Sequence, residues 1–242
     1  MALPFFYKED IDVNAITVML DEDTSKHIVQ VLRMQNGGQL QLTDGKGNLF
    51  TCEITDNNRK KCTVVITQKS TIANQKFTIV IAISLLKNTT RFEWFLEKAT
   101  EIGVTEIIPL VCERTEKTAF KFERMNSILV SAMLQSQQTR LPFLHQPTKL
   151  DKLWQSFQTL PKLPQQQKFI AHCEDENDKV QLTTKLLNPS TPKLILIGPE
   201  GDFTKDEIEL ALQNNFTPVS LGVTRLRTET AGVVAATLMA VL

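Results

Sequence analysis

The chain has no stretch that could cross a membrane as a helix: no apolar run approaches the ~20 residues such a span needs. Its first residues, MALPFF, lack a basic segment followed by an apolar core and a small-residue cleavage site, so no secretory leader is expected and the expected compartment is the cytoplasm. Cysteine and histidine are scarce. The four cysteines (Cys52, Cys62, Cys112 and Cys173) contain no C-x-x-C pair, and His27, His145 and His172 lie far apart, which argues against a zinc site or a disulfide framework. Net charge is also missing: 27 basic residues balance 27 acidic ones. Bulk charge therefore cannot hold this protein to nucleic acid, although a local basic face is compatible with a balanced total. Neither G-x-x-x-x-G-K-[ST] nor G-x-G-x-x-G occurs, and there is no internal repeat or low-complexity tract.

What is present is ordinary material for folding. Apolar residues make up 42% of 242 positions, a length large for one domain and comfortable for two. Residues 1–70 read as all-β. Short alternating runs at 16–20, 39–43, 49–54 and 62–66 are separated by turn chemistry at Asn36-Gly37-Gly38, Asp44-Gly45-Lys46-Gly47-Asn48 and Asp56-Asn57-Asn58. Asp44-Gly45 between two such runs signals a hairpin. A short helix is expected over 25–31, and the pattern predicts a small barrel or half-barrel. Lys26, Arg33 and the Arg59-Lys60-Lys61 cluster are basic residues on it; by itself that cluster reads as a solvated face.

A polar stretch at 70–75 is expected to be a linker, and after it the period changes. Residues 77–85 predict a long apolar strand. Phe92, Phe95, Leu96, Ala99 and Ile102 recur at helical spacing over 91–102, with Gly103 as the stop. Residues 106–111 read as a strand and 120–137 as a helix with Met125, Ile128, Leu129, Ala132 and Met133 inward. These aromatic and Met stripes are core. Residues 141–168, rich in Pro and Gln, carry a weak helix near Trp154. Further strands are expected at 169–172, 194–197 and 218–221, and helices at 206–213 and 228–242. Strands alternating with helices predict an α/β domain over 76–242, with a largely parallel sheet covered on both faces.

Two stretches stand out. In 193–210, Leu194-Ile195-Leu196-Ile197 reads as a strand buried on both faces, and Gly198-Pro199-Glu200-Gly201 breaks it. Thr204 with Glu207 three residues on is a capping box that opens a helix. Strand, tight turn and helix start leave backbone N–H groups and a gap at the carboxyl end of a parallel strand, where open α/β sheets bind ligands. An ordinary βα turn shares these features. The second stretch, LGVTRLRTETA at 221–231, ends a strand at Leu221-Gly222 and opens the last helix, with Thr228 expected as its cap. Gly232, Ala235 and Ala236 give that helix a thin, close-packing face. Arg225 and Arg227 are unusual in so apolar a terminal segment; alone, they read as two solvated arginines in a turn.

Together, IGPEG-x-F with an acidic amphipathic helix behind it and the later LG-x-x-x-LRTETA resemble the RsmE family of small-subunit (16S) ribosomal RNA uridine-N3 methyltransferases, in the SPOUT superfamily. The resemblance covers nearly the whole chain. Residues 27–33 and Asp44-Gly45-Lys46-Gly47 are similar to the family's N-terminal PUA-like barrel. Leu86-Lys87, Arg91, Glu93, Lys98, Glu101, Gly103-Val104, Pro109 and Glu113-Arg114 match its middle motif, and Gln135-Ser136 with Leu141-Pro142 a further one. The chain departs from the pattern in three places. Gly201-Asp202-Phe203 stands where Gly-Gly-Phe is commoner; Asp tolerates left-handed backbone, so the turn is expected to survive. A basic residue is moved by one position to Arg225. Gln137-Gln138 stands where Gly-Arg is usual.

The resemblance implies an RNA-binding PUA-like β-barrel over 1–70 and, over 76–242, a SPOUT methyltransferase domain with a mostly parallel sheet and a trefoil knot near its C-terminus. It implies a homodimer acting on ribosomal RNA or the small ribosomal subunit, without metal or membrane. The implied cofactor is S-adenosylmethionine, bound bent between loops. Its binding residues, carried over, are Ile197, Gly198, Pro199, Glu200, Gly201, Ser220, Leu221, Gly222, Leu226, Thr230 and Ala231, with a further loop after the strand ending near His172. Glycines let backbone approach adenosine closely, and Pro199 stiffens the turn. Arg227 is the implied catalytic residue, binding a uracil oxygen or a neighbouring phosphate and stabilising negative charge. Glu229 is the second, either as a base or in a structural role beside an arginine or the helix start. Lys26, Arg33, Lys60, Arg91 and Arg114 are candidate RNA phosphate contacts. Two alternatives remain: a SPOUT RNA methyltransferase acting on a ribose 2'-oxygen or another base, and a non-catalytic RNA-binding factor for ribosome assembly.

Overall fold

A computed structural model describes residues 3–72, 78–159, 166–174, 179–186 and 191–242. They divide into two compact units. One comprises Met1–Asn74 with Met133–Leu141, the other Gln75–Ala132 with Pro142–Leu242.

The first unit holds β1 (Phe5–Tyr7), β2 (Thr17–Met19), α1 (Glu22–Lys26), β3 (Gln39–Thr43), β4 (Asn48–Asp56) and β5 (Thr63–Thr71). Its sheet runs in the order β1-β3-β4-β5-β2, with only the β1–β3 pair parallel. The β3–β4 hairpin follows from its turn residues. Gly45 and Gly47 take φ of 73° and 101°, and the Asp44 carboxylate accepts from Lys46 N (2.8 Å) and Asn48 N (3.2 Å). Leu40, Leu42, Phe50, Cys52, Ile54 and Val64 alternate inward to form the core, with Ile28 packed among them. The helix expected over 25–31 is instead α1, capped by Asp21, which accepts from Thr24 N at 2.9 Å. It passes into a π-helical turn, His27–Val31. The expected linker begins as strand, because β5 continues through Thr71; residues 73–75 lie outside the described residues. Residues 133–141 join this unit. Thr139 O accepts from Thr43 Oγ1 (3.1 Å) and Gly47 N (2.9 Å), and Leu141 N donates to Gly45 O (2.8 Å).

The second unit alternates strand and helix: β6 (Ile79–Ser84), α2 (Thr89–Ile102), β7 (Glu106–Val111), α3 (Phe122–Gln135, whose last three residues are counted in the first unit), β8 (Phe143–Leu144), β9 (Thr148–Lys149) and α4 (Leu150–Thr159). It continues with β10 (Gln167–Ala171), β11 (Val180–Gln181), α5 (Leu182–Lys185), β12 (Lys193–Ile197), α6 (Lys205–Gln213), β13 (Thr217–Ser220) and α7 (Thr228–Val241). Every ladder is parallel, in the order β11-β13-β10-β12-β6-β7-β8, with β9 also on β7. Residue 77 and residues 160–165, which the sequence reading included, lie outside the described residues.

β6 and β12 are buried throughout, as the central strands of a doubly covered sheet must be. Val80, Ala82, Leu194 and Leu196 face one core, closed by Leu153 and Trp154 of α4 and Ile208 and Ala211 of α6. The opposite face takes α7 and α2. There Gly232 lets α7 lie so close that a Cβ on it would stand 2.6 Å from Phe95 and 2.9 Å from Ile83. Two helix termini match their sequence signals. Gly103 closes α2 at φ 96°, and Thr204 with Glu207 forms the complete capping box of α6.

Candidate active site

β10, β12 and β13 are neighbours, and their carboxyl ends lie on one edge of the sheet. The segments that leave them converge there with the first turn of α2 around a cavity of about 330 Å³. Ala171, Ile197, Pro199, Leu226 and Ala231 give it an apolar wall. Arg91, Glu200, Asp202, Arg225 and Arg227 ring it with charge, and Gly198, Cys173 and Thr228 complete the lining.

The turn after β12 is built by a dense set of hydrogen bonds. Asp202 N donates to Pro199 O at 2.9 Å, closing the turn, and Asp202 takes φ of 65°. Phe203 is fully buried beneath it, 3.0 Å from where a Gly198 Cβ would stand, so Gly198 is small by necessity. Arg114 Nη1 donates to Gly201 O (2.8 Å) and Phe203 O (3.3 Å). Glu200 Oε1 accepts from Lys87 N (3.2 Å), and Glu207 accepts from Thr204 N and Glu113 N, each at 2.9 Å. The middle motif thus braces this turn.

The start of α7 differs from its expected form. Arg227, extended at ψ 154°, occupies the cap position and gives no side-chain cap; Thr228 is the first helical residue, 6% exposed, and lines the cavity. Arg227 is exposed, with no hydrogen bond or ion pair from its guanidinium among the described residues. Glu229, 7% exposed, places Oε1 3.6 Å from Arg91 Nε, while its Oε2 has no hydrogen-bond partner among the described residues.

Of the residues carried over as cofactor contacts, Ile197, Gly198, Pro199, Glu200, Leu226 and Ala231 line the cavity. Gly201, Ser220, Leu221, Gly222 and Thr230 do not: Gly201 packs on the Arg114 stem, and Ser220 Oγ donates to Gly222 O at 2.7 Å. Arg227 lines the cavity and Glu229 stands behind it on Arg91. Among the expected RNA contacts, Arg91 belongs to the cavity and Arg114 to the turn beside it. In the first unit, Lys26 pairs with Glu22 at 2.8 Å, Lys60 is exposed, and Arg33 is exposed at φ 54°. Ala171, Cys173 and Thr228 are lining residues that sequence reasoning did not name in the site. Asp202 and Arg225 also line it, at two of the positions where the chain departs from the family pattern, and Cys173 lies in the loop expected after the strand ending near His172. The described residues contain no cluster of metal-ligating side chains and no helix long and apolar enough to cross a membrane.

An all-parallel α/β unit with a ligand-sized cavity at its carboxyl edge, following a small β domain, defines the class: a two-domain α/β protein with a small-molecule site. Residues 73–240 match the RNA methyltransferase domain, and residues 20–67 the RNA methyltransferase PUA domain. The ribosomal RNA small subunit methyltransferase E of Bacillus subtilis is 28% identical over 235 residues, 93% of this chain and 89% of its own. The crystal structure of the Neisseria gonorrhoeae enzyme of the same name, bound to S-adenosyl methionine, superposes with a TM-score of 0.83 at 28% identity, covering 97% of this chain and 95% of that one. A crystallised candidate rRNA methyltransferase of Porphyromonas gingivalis superposes at 0.85 with 38% identity, covering 97% and 95%. The chain belongs to the RsmE family of RNA methyltransferases.

Proposed function

We propose that this protein methylates N3 of a uridine in small-subunit ribosomal RNA, using S-adenosylmethionine. The observation that carries the reading is the cavity at the carboxyl ends of β10 and β12, bounded by 197–200 and 225–231 in a chain of this family. Relatives named for small-subunit rRNA methylation, one of them bound to S-adenosyl methionine, support it.

The lining suits this cofactor. Its volume falls in the small-molecule range, the apolar wall can take an adenine ring, and cationic and anionic side chains together can meet an amino-acid carboxylate and ammonium. When bound, S-adenosylmethionine supplies an electrophilic methyl on a sulfonium sulfur. Most of the work left to the protein is to hold the two reactants in line and keep water out. The turn at 198–202 and the start of α7 provide that hold. Arg227, with no competing partner among the described residues, stabilises negative charge on a uracil oxygen as N3 loses its proton. The N-terminal end of α7 adds a positive partial charge at the same place. Glu229 is buried and committed to Arg91, so it acts by positioning that arginine. Lys26, Arg33 and Lys60 serve as RNA phosphate contacts of the PUA-like domain, and Arg91 and Arg114 stand close enough to the cavity to add to them.

In this reading the domains are 1–70 and 76–242. The protein works in the cytoplasm as a homodimer, and the C-terminal strands follow a trefoil-knotted path. Half-buried Val233, Val234 and Leu238 with exposed Val241 on α7 support a partner surface. The return of β13 beyond β10, after β12 has been laid between β10 and β6, supports the knot.

Incubation with undermethylated small subunits and methyl-labelled S-adenosylmethionine, followed by nucleoside mass spectrometry, tests the function. The expected product is 3-methyluridine, with Arg227→Ala slower by about a hundredfold. A ribose-methylated nucleoside, or no transfer at all, contradicts it.

A further inference from the structure

Among the described residues four non-glycine positions have left-handed backbone: Arg33, Gln137, Asp202 and Asn215. Of these only Asp202 lines the cavity. That conformation is unfavourable for any residue with a Cβ, and a side chain kept there calls for a physical reason. The reason is visible in its carboxylate. Oδ1 accepts from Phe203 N at 2.9 Å, and Oδ2 accepts from Cys173 N at 2.7 Å. The first bond is local; the second crosses to the segment leaving β10.

β10 and β12 pair from Gln167↔Lys193 to Ala171↔Ile197, and there the ladder ends. Both chains continue into the cavity wall. The Asp202–Cys173 bond is a further tie between them, past the end of the ladder. It is short and charge-assisted, the stronger class of hydrogen bond. Arg114 pins the same turn through the Gly201 and Phe203 carbonyls, but does not reach Cys173.

We propose that Asp202 is a positioning residue for the cofactor cavity: its carboxylate straps the segment after β10 to the turn after β12 and sets the cavity width before the cofactor binds. A wall fixed beforehand does not have to be ordered on binding, so the strap favours affinity through preorganisation. It also predicts an unusual separation of effects. Glycine at 202 relieves the backbone strain and cuts the tie. Fold stability is then kept, because the strain relief offsets the lost bonds, while cofactor affinity falls.

The inference rests on the cavity being the S-adenosylmethionine site, and the experiment separates the two claims. Wild type, D202G and D202N are compared by calorimetric titration with S-adenosylhomocysteine, by amide hydrogen exchange at Cys173 in the free protein, and by urea unfolding. The expected result for D202G is about tenfold weaker binding, faster exchange at Cys173, and an unfolding midpoint equal to or above wild type. D202N keeps an acceptor on a residue that tolerates this backbone, and is expected to recover most of the affinity and protection. Unchanged exchange at Cys173 in D202G overturns the strap, as does unchanged affinity. So does a loss of affinity that tracks an equal loss of stability with no recovery in D202N. If the wild type fails to bind, the cofactor reading falls instead, and the exchange measurement alone still decides whether Asp202 ties the two segments.

Discussion

Burial sorts the thiols. Cys52 is pushed up to about 11 and Cys112 to about 12 by burial, which leaves almost no thiolate at neutral pH, whereas Cys173 is exposed on the cavity wall. Alkylation at pH 7.5 is therefore expected to mark Cys173 first, and saturating S-adenosylhomocysteine to slow it. Peptide mass mapping with and without that ligand checks both; equal labelling of Cys112, or no protection at Cys173, contradicts them. Glu93 gives a pH signature. Its hydrogen bond from Arg124 (Nη2–Oε2 2.9 Å) holds its carboxyl below the usual value of 4.5. A depressed carboxylate stabilises the fold above the unfolded value, and that contribution is lost as pH falls through the folded value. Glu93→Gln is expected to lower the urea midpoint at pH 7, and its difference from wild type is expected to shrink as pH falls below 4.5 through the depressed value. A constant difference across that range counts against the pair.

At the scale of the element, close packing and caps decide. Gly232→Ala would drive a methyl into Phe95 and Ile83, and is expected to cost about 1–3 kcal/mol in chemical denaturation. Thr204→Ala removes one half of the α6 capping box, at about 1 kcal/mol. A cost near zero at either position would show that the helix can shift to compensate. These devices were legible because each is local: Gly103, Thr204 with Glu207, Asp44-Gly45 and the small face of α7 need only their neighbours. The two- and three-residue strands β1, β8, β9 and β11 were not, because, unlike β2 within the alternating run at 16–20, they have no flanking alternation to carry a period. Thr228 misled because the sequence offers Thr at 228 and 230 with no sign of which turn of chain comes first; cavity-wall packing takes its side chain, and Arg227 supplies the extended residue. α1 begins before the expected helix because Asp21 caps it, and of the residues expected as helix His27–Val31 form a π turn instead.

At the scale of the molecule, the order of βα units was legible and the convergence of loops only partly so. Two cavity walls lie in motifs that could be read directly, 197–200 and 225–231. Ala171, Cys173 and Arg91 arrive from β10 and α2, and only the sheet order brings them there. The inclusion of 133–141 in the first unit was equally invisible, since its ties, backbone bonds at Thr139 and Leu141 with side-chain bonds from Thr43 Oγ1 to Thr139 O and from Arg140 Nη2 to Ile72 O (3.3 Å), join residues far apart in sequence. A fragment ending at residue 74 lacks those ties and leaves Thr43 Oγ1 and Gly47 N without the carbonyl they use. It is expected to melt at a lower temperature than the same unit in the full chain, with partial recovery when a 133–141 peptide is added; an unchanged melt contradicts that role.

The most direct measurement is a crystal structure of the protein with S-adenosylhomocysteine. The ligand is expected between Ile197, Gly198 and Pro199 on one side and Leu226 and Ala231 on the other, with Arg227 at its reactive end. Density for the ligand anywhere else on the protein, with that cavity holding only solvent, would contradict the account.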